Sequence, residues 1–455
     1  MKKIYIQEWR KYSESEILEK LENNKEIFKK LQKYAIIDTE KDKYQVNYVG
    51  VIIINDFVIN CYPKYFPEDI EPEEDFSRVL KVIKKYRKLH ESFEYQNDEF
   101  EDISYNQLSM MIFFLEDYYE NGIYTNSQKI LQINGNGEID WDKTINNTYP
   151  IINNNVPYYI DLYTKYNADD SYDYFRLLHE YIITFCSKKL EEAGLLKLFD
   201  LTPVELSDNS KEDFGDDEFI LNKLNKELNV EFNSHKRKLL KSMHTFISEK
   251  NSFSNKNFLT LYGTSKYNVI WEEMCSKIFK NKLKYTLKEL NLYDYSETRL
   301  IDVIEKPEWD LDYLDQPKKT QTFVPDLITI YEDTFVILDA KYYNLDFSDD
   351  DLSGQPGLES ISKQYMYELA YKEFMRKNGF NNVNNVFLFP TYGEYIENKG
   401  VARLEILSNL NLSDIAVVMI PADKLNQMYL NGDNEFFGIE DLLELLRDEP
   451  LLYGL

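Results

Sequence analysis

The chain has 455 residues, with 53 Lys+Arg against 80 Asp+Glu for a formal net charge of −27, 43% hydrophobic and 29% charged residues. This composition excludes a disordered or fibrous chain, and the length is a prior for about three ordinary domains. No apolar run reaches the ~18 residues of a membrane helix, and the start, Met1 to Arg10, lacks a secretory signal's apolar stretch. Three scattered cysteines, Cys61, Cys186 and Cys275, argue against a disulfide framework or a cysteine zinc site, so a soluble cytoplasmic protein is expected. The acidic balance weighs against one large basic nucleic-acid surface. Three local basic runs, around Lys81–Lys88, His235–Lys241 and Lys277–Lys284, read best as solvated helix faces.

The periodicity predicts short strands over 46–54 and 57–64, with Asn55-Asp56 as a hairpin turn, then helices over 76–92 and 106–121. Asn134-Gly-Asn-Gly137 marks a further turn. Two long amphipathic runs follow, 172–195 and 229–249, with the polar stretch 207–218 between them read as a loop. The stretch 250–256 is the best candidate for a domain boundary. Beyond it come a helix over 266–280, strands over 323–331 and 335–343, a helix over 358–377, and strands over 386–389, 402–406 and 415–420. The expected class is mixed α/β: a mixed N-terminal region (1–165), a helical connecting region (166–255) and a C-terminal domain (256–455) with a central mixed sheet flanked by helices.

Chemistry concentrates in Phe323-Val-Pro-Asp-Leu-Ile-Thr-Ile-Tyr331 and Phe335-Val-Ile-Leu-Asp-Ala-Lys-Tyr-Tyr343. As an antiparallel hairpin, these runs bring Asp326 and Asp339 to one end. Asp339 and Lys341, two apart on a strand, point the same way. A carboxylate directly after four apolar residues needs a partner. Mg²⁺ would supply one, taking two carboxylates, the Ala340 backbone carbonyl and waters, with Lys341 beside it to orient water or to stabilise charge on phosphorus. Among the lysines only Lys341 and Lys399 follow an acid at two residues, and Glu397-Asn398-Lys399 has no apolar strand leading in. On the helix over 266–280, Glu272 sits at the edge of an apolar face and is the candidate third carboxylate. Glu273 reads as a surface partner of Lys277. On the helix over 358–377, Gln364 shares a stripe with Tyr367 and Tyr371, and its amide is placed to hold a water or phosphate oxygen. Trp141 and Trp271 read as core, the four histidines as ordinary residues, and Asp346…Asp349-Asp-Asp351 as a solvated loop.

Pro325-Asp326…Asp339-Ala-Lys341 resembles the PD-(D/E)xK nuclease superfamily. Gly263-Thr-Ser…Val269-Ile-Trp-Glu272, Val324-Pro-Asp326, Leu338-Asp-Ala-Lys-Tyr-Tyr343 and Lys363-Gln364…Tyr367 look more closely like the LlaJI restriction endonucleases, relatives of the McrC subunit. Tyr48-Val-Gly50…Tyr62-Pro-Lys-Tyr65 and Gly137-Glu-Ile-Asp-Trp-Asp-Lys-Thr-Ile145 resemble that group's amino-terminal region. The resemblance implies a bacterial endonuclease cutting double-stranded DNA, with Asp326 and Asp339 holding Mg²⁺ (or Mn²⁺), Lys341 catalytic, Glu272 assisting at the metal and Gln364 behind the site. It also implies an AAA+ partner of the McrB type that hydrolyses GTP or ATP, for which the amino-terminal region would be the docking surface. The chain itself has no Gly-x-x-x-x-Gly-Lys-Ser/Thr loop. A non-catalytic adaptor of such a motor and a free-standing repair nuclease are the competing readings.

Overall fold

Two apolar runs joined by Glu332-Asp333, with Glu332 at φ 52°, fold back on each other as β1 (Leu327–Tyr331) and β2 (Thr334–Ala340). The computed structural model describes residues 1–40, 43–67, 73–90, 107–125, 127–169, 173–249, 259–293, 296–310, 318–319, 322–346 and 352–447. With β3 (Asn382–Thr391), β4 (Glu397–Ala402) and β5 (Ile415–Pro421), the hairpin forms a five-stranded sheet in the order β1-β2-β3-β5-β4. β1 and β2 pair antiparallel with Leu327 opposite Leu338, while β2, β3 and β5 run parallel. Every residue of β2 is buried, as expected for a continuous apolar run in a strand covered on both faces. A parallel neighbour requires a crossover, and the 20-residue helix α2 (Leu358–Lys377) supplies it, after α1 (Tyr267–Ile278) earlier in the chain. Phe335 and Ile337, alternate residues of β2, pack with Tyr367, Tyr371 and Met375 of α2.

The strand expected over 402–406 lies instead at Glu397–Ala402, and Glu405–Leu410 is a 3₁₀ turn. Leu404, Leu407 and Leu412 pack on Tyr365, Phe387 and Phe389, while Ile406, the last residue of the expected strand, is 81% exposed. β4 is one edge of the sheet, alternately exposed, charged and broken in register between Asn398 and Val401. Those features discourage further strand addition.

A second sheet orders the strands Lys2–Gln7, Phe57–Tyr62, Val49–Ile54 and Leu259–Thr264. Asn55 at φ 53° makes the expected turn. Gly50 and Gly263 face one another so closely that a Cβ on Gly50 would stand 2.2 Å from the Tyr262 carbonyl oxygen, so neither tolerates a side chain. The basic run on the helix Glu73–His90 is partly internal. Lys85 donates to the carbonyls of Tyr429 (2.7 Å) and Leu430 (3.0 Å), and Arg87 donates to that of Gly263.

By chain contacts, Lys3–Ile52, Phe57–Glu101 and Tyr262–Leu455 form one compact unit, and Met1–Lys2, Ile53–Asp56 and Asp102–Leu261 the other. The second unit carries a three-stranded sheet (Ser127–Ile133, Tyr163–Asp169, Glu138–Ile139) and the helices Gln107–Asn121, Tyr174–Glu192, Asp217–Val230 and Ser234–Glu249. The helix Asp217–Val230 begins inside the stretch read as a loop, because Asp216 caps it, accepting from the Phe219 N–H at 2.8 Å. Trp271 is fully buried as expected, but Trp141 is 53% exposed, at the start of a short helix of this unit. His179 is buried and accepts from the Tyr124 N–H at 3.1 Å. Lys236 and Arg237 of the second basic run bond backbone carbonyls. The stretch 250–256 and Asp349–Asp351 lie outside the described residues. Among the described residues no helix is long and apolar enough to cross a membrane.

Candidate active site

The hairpin register places Asp326, directly before Leu327, beside Asp339, directly after Leu338. The Ala340 N–H donates to Asp326 Oδ2 at 2.9 Å. The carboxyl of Asp339 stands close enough to act on that of Asp326. Asp339 is buried, and the Lys341 ammonium stands 2.5 Å from its Oδ2. The Lys341 N–H donates to the Leu388 carbonyl at 2.9 Å, so pairing with β3 continues past β2 and fixes this lysine's base. Its ammonium lies 5.7 Å from the centre of the Phe387 ring.

Burial pushes the Asp326 carboxyl well above the ordinary carboxylate range. The nearness and charge of Asp339 and the charge of Glu272 push the same way, against the Ala340 N–H. Glu272, half-buried on α1, is also raised, first by burial and then by Asp339, while Asn268 and Lys341 oppose. The structure thus brings Asp326, Asp339 and Lys341 into contact and holds Glu272 at electrostatic range. Among the described residues no three acids, histidines or cysteines are drawn together as a preformed cage. A buried carboxylate, Asp339, with a second, partly buried carboxyl, Asp326, beside it is a donor set that a hard divalent cation fits, because its charge removes their repulsion. Glu273 pairs with Lys277 at 3.1 Å, as its spacing predicts.

Gln364 is fully buried. Its Nε2 donates to the Ile337 carbonyl at 3.1 Å and to Asn385 Oδ1 at 3.4 Å, so the donor end of the amide is committed to the sheet, while its buried Oε1 meets no donor among the described residues. Tyr367 on the same helix donates its hydroxyl to the Val324 carbonyl at 3.1 Å. α2 therefore grips the chain two residues before each aspartate. Three supporting residues carried no sequence signal. Asn281 donates to the Asp326 carbonyl at 3.1 Å and accepts from the Ile328 N–H at 3.2 Å, pinning the start of β1. Glu8, buried, accepts from the Tyr342 hydroxyl at 2.5 Å, directly after Lys341. Glu368 accepts from Asn385 Nδ2 at 2.5 Å and from the Ser413 N–H at 3.0 Å, behind the site.

Two solved structures resemble the chain in coverage. An assembly of Thermococcus gammatolerans McrB AAA+ hexamers with bound McrC matches at 12% identity and a TM-score of 0.37, over 94% of this chain and 99% of that one. The Thermococcus gammatolerans McrBC complex matches at 15% identity and a TM-score of 0.24, over 59% of this chain and 84% of that one. In sequence, the chain is 29% identical over 449 residues to the YdjA component of the type II restriction enzyme BsuMI from Bacillus subtilis (strain 168), spanning 96% of this chain and 91% of that protein. The profile of the LlaJI restriction endonucleases matches residues 48–423, which include every residue of the carboxylate–lysine site, and the chain belongs to that family.

Proposed function

We propose that this chain is the metal-dependent endonuclease subunit of a multi-component restriction system and hydrolyses phosphodiester bonds of double-stranded DNA. The observation that carries the reading is the buried Asp339 carboxylate, with Lys341 at 2.5 Å and Asp326 beside it, in a member of a restriction endonuclease family. Asp326, Asp339 and the Ala340 carbonyl would hold Mg²⁺ or Mn²⁺, with Glu272 assisting. When bound, the ion would neutralise the phosphate and acidify a water. Lys341 presents a fixed positive charge at the same point, where it orients the water or meets charge gathering on phosphorus. Gln364 and Tyr367 position the two aspartate-bearing segments.

The reading extends to an AAA+ partner of the McrB type that hydrolyses GTP or ATP. The Bacillus subtilis relative is itself one component of an enzyme, and this chain lacks a phosphate-binding Walker loop. A docking surface in the amino-terminal region is supported by Trp141, Ile145, Ile151, Ile152, Val156 and Ile160, all exposed within twenty residues. Contiguous exposed apolar side chains of this kind mark interaction surfaces.

The test is plasmid cleavage by the purified protein in Mg²⁺, with and without the product of a neighbouring AAA+ gene plus GTP, beside Asp339→Ala. Partner-dependent cutting that the substitution abolishes is the expected result. Cutting that survives Asp339→Ala would remove the site assignment, and motor stimulation without any cutting would point to an adaptor.

A further inference from the structure

The segment that follows Lys341 meets a second group of residues that the reading above leaves without a role. Lys64 follows the strand Phe57–Tyr62, inside the phrase Tyr62-Pro-Lys-Tyr65. Its ammonium stands 4.2 Å from the centre of the Tyr342 ring, 5.2 Å from that of Trp9 and 5.8 Å from that of Tyr343. An ammonium carries three donors, yet among the described residues none of those of Lys64 meets a hydrogen-bond acceptor. Burial draws this lysine's pKa below its ordinary value, with the Glu8 charge opposing, as expected for a cation short of oxygen partners.

Tyr342 is buried, while the other two rings are open to solvent. Trp9 is 50% exposed and Tyr343 is 40% exposed. Trp9 has φ 60°, a left-handed backbone that a bulky side chain adopts only when its surroundings impose it. They do so here. The Trp9 N–H donates to the Val46 carbonyl and the Glu8 N–H to the Tyr62 carbonyl, each at 2.9 Å. Glu8 then accepts from the hydroxyl of Tyr342. Trp9 and Lys64 are thereby tied to the two residues after Lys341, where the Tyr343 N–H donates to the Lys341 carbonyl at 3.0 Å and turns the chain back beside that lysine.

We infer that Lys64, Trp9 and Tyr343 form a nucleic-acid contact beside the cutting site: the ammonium takes a backbone phosphate oxygen, and the two exposed rings take sugar or base faces next to it. The chemistry recognised is a phosphodiester flanked by flat rings, which every nucleotide offers, so the contact adds affinity without sequence preference. The inference rests on the nuclease reading.

The test uses the full-length chain carrying Asp339→Ala, which removes cutting, and a fluorescein-labelled 30-base-pair duplex titrated over a series of KCl concentrations. Lys64→Gln is expected to weaken binding about tenfold and to lower the slope of log K against log salt by about 0.9, one phosphate contact's share. Lys64→Arg is expected to stay within about threefold of the parent, and Tyr343→Ala to weaken binding about fivefold with the slope unchanged. Unchanged affinity and slope in Lys64→Gln would overturn the inference. Should that variant fail to fold, an unchanged affinity in Tyr343→Ala, which alters only an exposed ring, overturns it instead. A wild-type chain that cuts plasmid, with Lys64→Gln binding and cutting equally well, sinks this contact alone. A wild-type chain that neither binds nor cuts, with or without its partner, sinks the nuclease reading and the contact with it.

Discussion

The five-stranded sheet contains two acid-x-lysine tripeptides, Asp339-Ala340-Lys341 on a central strand and Glu397-Asn398-Lys399 on the edge. Both put the acid and the lysine on one side of a strand, and both close an ion pair at 2.5 Å. Their surroundings differ. The Lys341 and Asp339 side chains are 18% and 7% exposed, those of Lys399 and Glu397 40% and 51%. The edge pair has water for a partner and is worth at most a few tenths of a kcal/mol. The central pair has a second carboxyl, Asp326, beside it and a third, Glu272, within its field. The tripeptide by itself makes only an ion pair. Burial and an unneutralised second acid are what turn that geometry toward chemistry, since carboxylates crowded away from water cannot all ionise without a cation.

Breaking each pair in turn should separate these roles. Asp339→Ala is expected to lower DNA cleavage by about 10³-fold or more, and Glu397→Ala to leave it within about twofold, both read as initial rates on plasmid. Lys341→Ala should cost about 10²-fold while Lys399→Ala costs nothing measurable, because only the first ammonium stands where charge develops. Equal losses from both lysines would mean that the sheet as a whole, and not the central pair, sets activity. Metal sharpens the contrast next. Saturating Mg²⁺ is expected to raise the thermal midpoint of the wild type and of Glu397→Ala by roughly 2–5 °C, by mass action on the folded state. Asp326→Asn should lose most of that gain. An undiminished gain there would place the cation elsewhere.

The hairpin, and the meeting of Asp326 with Asp339, were legible because apolar runs with a polar turn specify register, and register specifies which side chains share an end. The helix over 358–377 was legible from its own periodicity, and it is found at Leu358–Lys377. The supports around the carboxylates were not legible, for a common reason. Glu368 on a helix reads as a surface acid until Asn385, 17 residues on, and Ser413, 45 residues on, are folded against it. Glu8 meets Tyr342 across 334 residues. Asn281 sits among lysines and gives no hint that its amide bridges two segments. Trp141 misled in the opposite sense, since a large apolar residue gives no sign of whether a core or a partner covers it.

Glu368 also offers the finest test of the comparison, because it is another buried acid in contact with this sheet and its hydrogen-bond donors are all neutral. Burial raises its pKa above the ordinary 4.5, against the bonds from Ser413 and Asn385 and the charge of Lys372. A raised value in the folded state means that the fold favours the protonated form. That stabilisation is complete below about pH 4.5 and is lost as pH climbs through the raised value. Glu368→Gln should therefore flatten the fall in thermal midpoint above that pH, by about 1–2 °C, and leave cleavage within about threefold. The carboxyl bonds Asn385 and Ser413, so its oxygens are already occupied. A large loss of cleavage in this variant, with the midpoint intact, would mean that hydrogen bonds passing through Asn385 and Gln364 to the Ile337 carbonyl tune the carboxylate pair itself. The distinction between a buried acid satisfied by neutral donors and one awaiting a cation would then be too sharply drawn.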